Sequence, residues 1–189
     1  GFRDALELRR GLREDQWNHR EPYAPVLVPR YLRYGIAGRI GADGEELEPF
    51  DPASLSDALV GFETEGVEAV AIALFNSFLD DRHEQAAAEA LNAGWSGEWS
   101  TCSAEISPMM GEYERTSTAV VNAALLPRVA SYLEALDEEL AALGLPRRIL
   151  MVQSNGGAAS VSTVASKPVN LLLSGPAAAG GALNRYRRA

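Results

Sequence analysis

Hydrophobic and polar positions recur along this chain with two different periods, and each change of period marks a new element. Tyr31, Arg33, Gly35 and Ala37 alternate with Leu32, Tyr34 and Ile36, the two-residue period of a strand. Gly41-Ala42-Asp43-Gly44 supplies a turn and Glu45–Phe50 a return strand, which together predict a hairpin. Asp51-Pro52 then places an acidic N-cap before a proline at the first helical position. Leu55, Leu59 and Phe62 follow at helical spacing, and Gly66 ends the helix. Val67–Phe75 is nearly continuous apolar sequence, the pattern of a strand covered on both faces. Asp80 and Asp81 cap a second helix through Leu91, and Trp99–Ile106 reads as a third strand. The order β-β-α-β-α-β predicts an α/β fold with mixed sheets and packed helices.

The N-terminal stretch is read differently. Phe2–Arg13 has the apolar positions of a short helix, whereas Pro22, Pro25 and Pro29 force the segment after it to be extended or looped. The second half is dominated by one long pattern. Val120, Val121, Ala124, Leu125, Val129, Tyr132, Leu133, Leu136, Leu140 and Leu143 step by three and four, with acidic residues opposite. Pro127 should kink or split this helix, and Gly144 and Pro146 stop it. Arg148–Gln153 is expected to be a buried strand and Val169–Leu173 an apolar strand, the latter opening into a final helix rich in small residues. These patterns divide the chain into an α/β subdomain over 1–110, with its N-terminal helix and hairpin, and a second part over 111–189.

Composition narrows the class. The chain has 189 residues, 47% of them hydrophobic, enough for a packed core. Its 26 acids against 17 bases give a net charge of -9, which argues against a nucleic-acid partner. The clusters Arg9, Arg10, Arg13 and Arg185, Arg187, Arg188 are short, and each reads as a solvated helix face. Cys102 is the single cysteine, so no internal disulfide forms and a cytoplasmic origin fits. His19 and His83 stand without Cys or His at ligand spacing, so no metal site is expected. No apolar run of about 18 residues occurs, so no membrane span is expected. The abrupt start at Gly1, in charged sequence and without an initiator Met, fits an excised piece of a longer protein.

Three stretches can carry chemistry. Gln153-Ser154-Asn155-Gly156-Gly157 follows a strand, where ligands of α/β proteins gather, and two glycines let a backbone approach a ligand closely. The same residues also spell a tight turn. Ser174-Gly175-Pro176 opens a helix and can present amides to an anion, or can simply allow close helix packing. Glu112-Tyr113-Glu114-Arg115-Thr116-Ser117-Thr118 crowds polar groups into the first turns of the long helix. There, an acid is favoured by the helix dipole and Glu112 with Arg115 makes an ordinary i,i+3 pair. Neither a P-loop nor a Ser-x-x-Lys, His-Glu-x-x-His or Gly-x-Ser-x-Gly motif is present, and no catalytic residue can be assigned.

In this order, six segments resemble the hydantoinase A/oxoprolinase family, which includes N-methylhydantoinase, 5-oxoprolinase and subunits of acetone and acetophenone carboxylases. "GFRDALELRR" (1–10) resembles its Gly-Phe-Arg-Asp segment, and "VPRYLRYGIAGRIGADGEELEPFD" (28–51) its Val-Pro-Arg hairpin. "GVEAVAIALFNSFLDDRHE" (66–84) resembles its Gly-Val-Glu-Ala-Val-Ala strand with the His-Glu that follows. "EISPMMGEYERTSTAVVNAALLPRVASYL" (105–133), "LMVQSNGG" (150–157) and "LLLSGPAAAGGA" (171–182) resemble its helix and two loops. One departure is visible: Ala179-Gly180-Gly181 stands where the family carries Gly-Val-Val or similar, which loosens the last helix slightly.

The resemblance implies a fragment of an actin/hexokinase-like (ribonuclease H-like) nucleotide-binding fold, lying between two Asp-Gly-Gly-Thr phosphate loops that this chain does not contain. It implies hydrolysis of a cyclic amide, hydantoin or 5-oxoproline-like, driven by ATP with Mg in the full-length protein. It also implies a hydantoinase B-like partner subunit or domain, and an inactive isolated fragment. A carboxylase-type subunit and a non-catalytic assembly module are the alternatives. The residues it would place at a substrate or nucleotide are Ser154, Asn155, Gly156, Gly157, Ser174, Gly175, Glu114 and Arg115.

Overall fold

The structure is a computed structural model in which residues 3–11, 13–145 and 149–187 are described. The side chains of residues 182, 184 and 185 lie outside that description. The chain divides into two compact units, Gly1–Ala123 and Ala124–Ala189.

In the first unit, the expected N-terminal helix is replaced by two 3-10 turns, Ala5–Glu7 and Arg9–Gly11. Arg9 and Arg10 both sit at φ 46, a left-handed conformation that breaks any helix there. Phe2 and Leu12, part of that reading, lie outside the described residues. The strand expected from Tyr31 starts only at Ala37, because Arg30–Leu32 closes a 3-10 turn with Arg33 N donating to Arg30 O.

The hairpin forms from β1 (Ala37–Ile40) and β2 (Glu46–Asp51), paired antiparallel with irregular register. Its turn is closed by Gly41 N donating to Glu45 O at 2.8 Å, with Gly44 at φ +81. Asp51 caps as its sequence predicts: its Oδ1 accepts from Ala53 N at 3.0 Å. A 3-10 turn, Pro52–Leu55, then leads into α1 (Ser56–Thr64).

β3 (Ala69–Ile72) lies parallel to β4 (Trp99–Cys102), and α2 (Arg82–Gly94) makes the crossover between them. Asp81 stands at the N-cap of α2 but makes no side-chain cap bond, and it is Asp80 Oδ1, one residue earlier, that accepts from Arg82 N at 3.0 Å. The expected strand through Ile106 ends at Cys102, and Ser103–Ile106 turns into the short α3. The core of this unit gathers Ala58 and Phe62 of α1, Val70 and Ile72 of β3, Ala87 and Leu91 of α2, Trp95, and Cys102. Phe62 meets Tyr34 edge-on at 5.4 Å and Trp95 at 6.2 Å between ring centroids.

The long pattern becomes one helix, α4 (Glu112–Ala142), with Pro127 inside it. Proline lacks the N–H that would bond Ala123 O, and the division between the two units falls at Ala123. Among the described residues, α4 is the one helix long and apolar enough to cross a membrane by length and composition. Its stripe of Ala119, Val120, Ala123, Leu126, Ala130 and Leu133 is buried in the protein.

In the second unit, β5 (Leu150–Val152) pairs antiparallel with β6 (Ala158–Ser160). The buried strand expected at Arg148–Gln153 is therefore short and not buried: Leu150 is 68% exposed. It pairs along one edge only, and no described layer covers this residue; Arg148 lies outside the described residues. After α5 (Val161–Ser166), whose N-cap Ser160 accepts from Thr163 N, the chain makes a 3-10 turn at Pro168–Leu171. The strand expected at Val169–Leu173 does not form. Pro168 starts the turn, and Asn170 N and Leu172 N bond locally to Lys167 O and Val169 O. Leu173, at φ +60, then turns the chain into α6 (Ser174–Arg187).

Candidate functional site

The two glycine-bearing loops belong to the second unit. Between β5 and β6 the chain reverses within Gln153–Gly157: Gln153 N donates to Gly157 O at 2.9 Å and Gly156 N to Gln153 O at 2.9 Å. Gly156 sits at φ +80, a conformation that favours glycine. Asn155 Oδ1 accepts from Gly157 N at 2.8 Å, so the side chain folds back over its own turn. Ser154, Asn155, Gly156 and Gly157 are all exposed. One bond ties this loop to the other: Ser154 N donates to Asn170 O at 2.7 Å. Asn170 precedes Ser174 and Gly175 by a few residues, so the structure brings the two stretches into one neighbourhood. The helix begins at Ser174 itself, so the amides of Ser174 and Gly175 are first-turn amides without an intrahelical acceptor.

Glu114 and Arg115 lie in the first unit, in the opening turns of α4. Glu114 pairs with Arg10, and that guanidinium holds its carboxyl below the usual carboxylate range. Arg115 is fully buried. Its Nε donates to Ser103 Oγ at 3.1 Å, its Nη1 to Met109 O at 3.1 Å, and its Nη2 to Leu74 O at 2.9 Å and Glu112 Oε2 at 2.5 Å.

Those contacts belong to a buried polar network that the sequence patterns do not reveal. Glu84, also fully buried, accepts from Leu74 N at 2.8 Å, Ser103 Oγ at 2.6 Å and Ala104 N at 2.9 Å. Asn76, at φ 62, donates from Nδ2 to Ile40 O and Gly41 O, and its backbone N–H reaches Glu112 Oε1 at 3.4 Å. The network stands at the carboxyl ends of the parallel strands β3 and β4, the position where open α/β sheets hold ligands. Here Arg115 and Glu84 fill it. Among the described residues, no group of three or more His, Cys, Asp or Glu is placed to hold a metal.

With that geometry established, the comparisons decide the lineage. The hydantoinase/oxoprolinase N-terminal region matches residues 1–94, and the hydantoinase/oxoprolinase domain matches residues 115–188. The chain belongs to the hydantoinase/oxoprolinase family. It is 39% identical over 181 residues to the caprolactamase subunit alpha of Pseudomonas jessenii, covering 95% of this chain and 26% of that one. It is 31% identical over 145 residues to 5-oxoprolinase 1 of Arabidopsis thaliana, covering 72% of this chain and 11% of that one. The crystal structure of ATP-dependent caprolactamase from Pseudomonas jessenii superposes with a TM-score of 0.85 at 39% identity, over 94% of this chain and 26% of that one. The nucleotide-free structure of acetone carboxylase superposes with a TM-score of 0.77 at 22% identity, over 94% and 26%, a likeness of fold. The chain thus spans about a quarter of the length of the caprolactamase subunit. The α/β class with small sheets and packed helices stands, and these neighbours are consistent with a nucleotide-binding type of fold.

Proposed function

We propose that this chain is part of a cytoplasmic ATP-dependent hydrolase of cyclic amides, of the hydantoin or 5-oxoproline type, that works with a hydantoinase B-like subunit or domain. The observation that carries this reading is the Ser154 N–Asn170 O bond, which ties together, in the second unit, the two stretches that resemble the family's loops. The likeness to an ATP-dependent caprolactamase supplies the chemical class.

The loops suit their role through neutral donors. The N–H groups of Ser154, Gly156 and Gly157 are engaged within the loops, by Asn170 O, Gln153 O and Asn155 Oδ1, and shape them. The Ser154 and Ser174 hydroxyls and the first-turn amides of Ser174 and Gly175 are the neutral donors left to a ligand, with no cation among them. Such a set fits an oxygen of a phosphate or a lactam carbonyl at a helix N-terminus. ATP, when bound with Mg, supplies the phosphoryl group that makes an unactivated lactam carbonyl a better electrophile. Within the first unit, Glu114 is half-exposed, with its carboxylate paired to Arg10. The engaged guanidinium of Arg115 supports the start of α4.

The test is a ring-opening assay of the full-length protein on hydantoin, 5-oxoproline and caprolactam, with and without Mg-ATP. Ketone carboxylation in place of ring opening would move the chain to the carboxylase branch.

A further inference from the structure

Far in sequence from the glycine loops, the irregular N-terminal segment holds a cluster of arginines around one tyrosine. The guanidinium carbon of Arg13 lies 4.3 Å from the centroid of the Tyr23 ring, and that of Arg9 lies 5.3 Å from it. Both cations therefore stand at one aromatic ring. Arg13 Nη2 donates to the Tyr23 hydroxyl at 3.0 Å, and among the described residues that hydroxyl donates to no acceptor. The Nε–H groups of Arg9 and Arg13 are buried without an acceptor, so each guanidinium is desolvated on its inner side.

Charge is unbalanced at the same place. Glu7 is shared by two arginines: Oε2 accepts from Arg9 Nη2 at 2.6 Å and Oε1 from Arg33 Nη2 at 2.7 Å. Asp4 likewise serves Arg30 at 2.9 Å and Arg33 at 3.6 Å. Three guanidiniums, those of Arg9, Arg30 and Arg33, thus share two carboxylates, and Arg13 has no carboxylate partner among the described residues, in a protein whose net charge is -9. A desolvated cation without a counter-charge is costly. Guanidinium donors match the geometry of a carboxylate or phosphate, and a phenolic O–H can add one further donor.

We propose that Arg9, Arg13 and Tyr23 form an oxyanion site, distinct from the glycine loops, that takes a carboxylate or phosphate group. Arg13 supplies the unbalanced charge, Tyr23 the hydroxyl donor, and Arg9 the second cation. The anion comes either from a free small molecule or from an acidic side chain of a partner subunit.

The experiment uses the full-length protein, titrated by calorimetry at low ionic strength with inorganic phosphate and with succinate. It compares wild type, Arg13→Gln, Tyr23→Phe and Arg20→Gln, the last removing an exposed charge from the same segment but not from the cluster. A free-anion site predicts saturable binding of one anion per chain, weakened about tenfold by Arg13→Gln and unchanged by Arg20→Gln. A partner-borne carboxylate predicts instead that Arg13→Gln weakens subunit association about tenfold while Arg20→Gln does not. If Arg13→Gln fails to fold, Arg13→Lys keeps the charge, loses the planar fork, and should give the same order of effects. Mg-ATP binding measured in the same variants should stay at the wild-type value, separating this site from the glycine loops. Equal behaviour of Arg13→Gln and Arg20→Gln in both anion and subunit binding would overturn the proposal.

Discussion

Glu84 and Arg115 are joined through a single hydroxyl: Ser103 Oγ donates to Glu84 Oε1 at 2.6 Å and accepts from Arg115 Nε at 3.1 Å. All three residues are fully buried. The pair is an indirect one, in which each charge is also hydrogen-bonded to backbone: Glu84 by Leu74 N and Ala104 N, Arg115 by the carbonyls of Leu74 and Met109. Breaking a buried charge pair by removing one partner costs more than the pair contributes, because the survivor stays desolvated.

Arg115→Ala should therefore destabilise the protein by about 3–5 kcal/mol, leaving Glu112 and two backbone carbonyls without their donor. Ser103→Ala should cost about 1–3 kcal/mol, through the orphaned Nε of Arg115 and one lost bond to Glu84. Urea denaturation followed by far-UV circular dichroism measures both. A loss below 1 kcal/mol for Arg115→Ala would show that the network tolerates the gap.

Cys102 gives a pH prediction. Burial, with the Glu84, Glu105 and Asp81 carboxylates nearby, pushes its thiol from an ordinary value of 9.0 up to about 12. The folded pKa is raised, so the contribution to stability is complete below about pH 9. It is lost as pH rises from 9 towards 12, because the unfolded thiol ionises first. Native protein should resist iodoacetamide at pH 8 and react fully once unfolded in guanidinium. Rapid alkylation of the folded chain would contradict this burial.

Much of this architecture can be read from short-range pattern. The helix Glu112–Ala142 follows from apolar steps of three and four, the cap from Asp51-Pro52, and the hairpin turn from Asp43-Gly44. Errors arise where one apolar run suits two structures. Val169–Leu173 reads as a strand, yet Pro168 nucleates a 3-10 turn and no partner strand is offered. Ser103–Ile106 continues an alternating pattern but turns helical, with Glu84 accepting from Ala104 N at its start. Of the Glu84–Ser103–Arg115 network only the Glu112–Arg115 pair, three residues apart, follows from a local rule; the bonds that Glu84 makes, and those from Arg115 to Ser103 and Leu74, join residues 10 to 41 positions apart, and no local rule connects them. Arg115 itself stood out as a residue, but whether it faces a ligand or the interior depends on those distant partners. The tie between the two glycine loops is similarly hidden, since it rests on a backbone bond from Ser154 to Asn170.

Asn155 tests the role of that loop. Its side chain makes one turn bond, to Gly157 N, and is exposed. Asn155→Ala in the full-length enzyme should cost about 0.5–1.5 kcal/mol of stability. If the loop holds substrate or nucleotide, turnover should fall roughly tenfold or more, a larger effect than the turn bond explains. Steady-state kinetics beside a melting curve separate the two. A normal kcat with a lowered Tm would return Asn155 to turn formation alone.

The 189-residue chain by itself should neither bind Mg-ATP at micromolar levels nor open a lactam. The two loops offer a few hydrogen bonds of about 0.5–1.5 kcal/mol each. Even millimolar affinity requires about 4 kcal/mol net of association costs. Calorimetry with Mg-ATP checks this directly. Micromolar binding would mean that a complete nucleotide site lies within these residues.

The central claim is a reaction class, and turnover tests it most directly. The full-length protein, purified together with the hydantoinase B-like subunit proposed for it, is given hydantoin, 5-oxoproline or caprolactam with Mg-ATP, and ring-opened product and ADP are quantified together. A cyclic-amide hydrolase of this type yields the ring-opened acid with ADP formed in step, and loses both products when ATP is withheld. Absence of ring opening with all three lactams, together with ATP consumption that depends on bicarbonate and a ketone, would contradict the account.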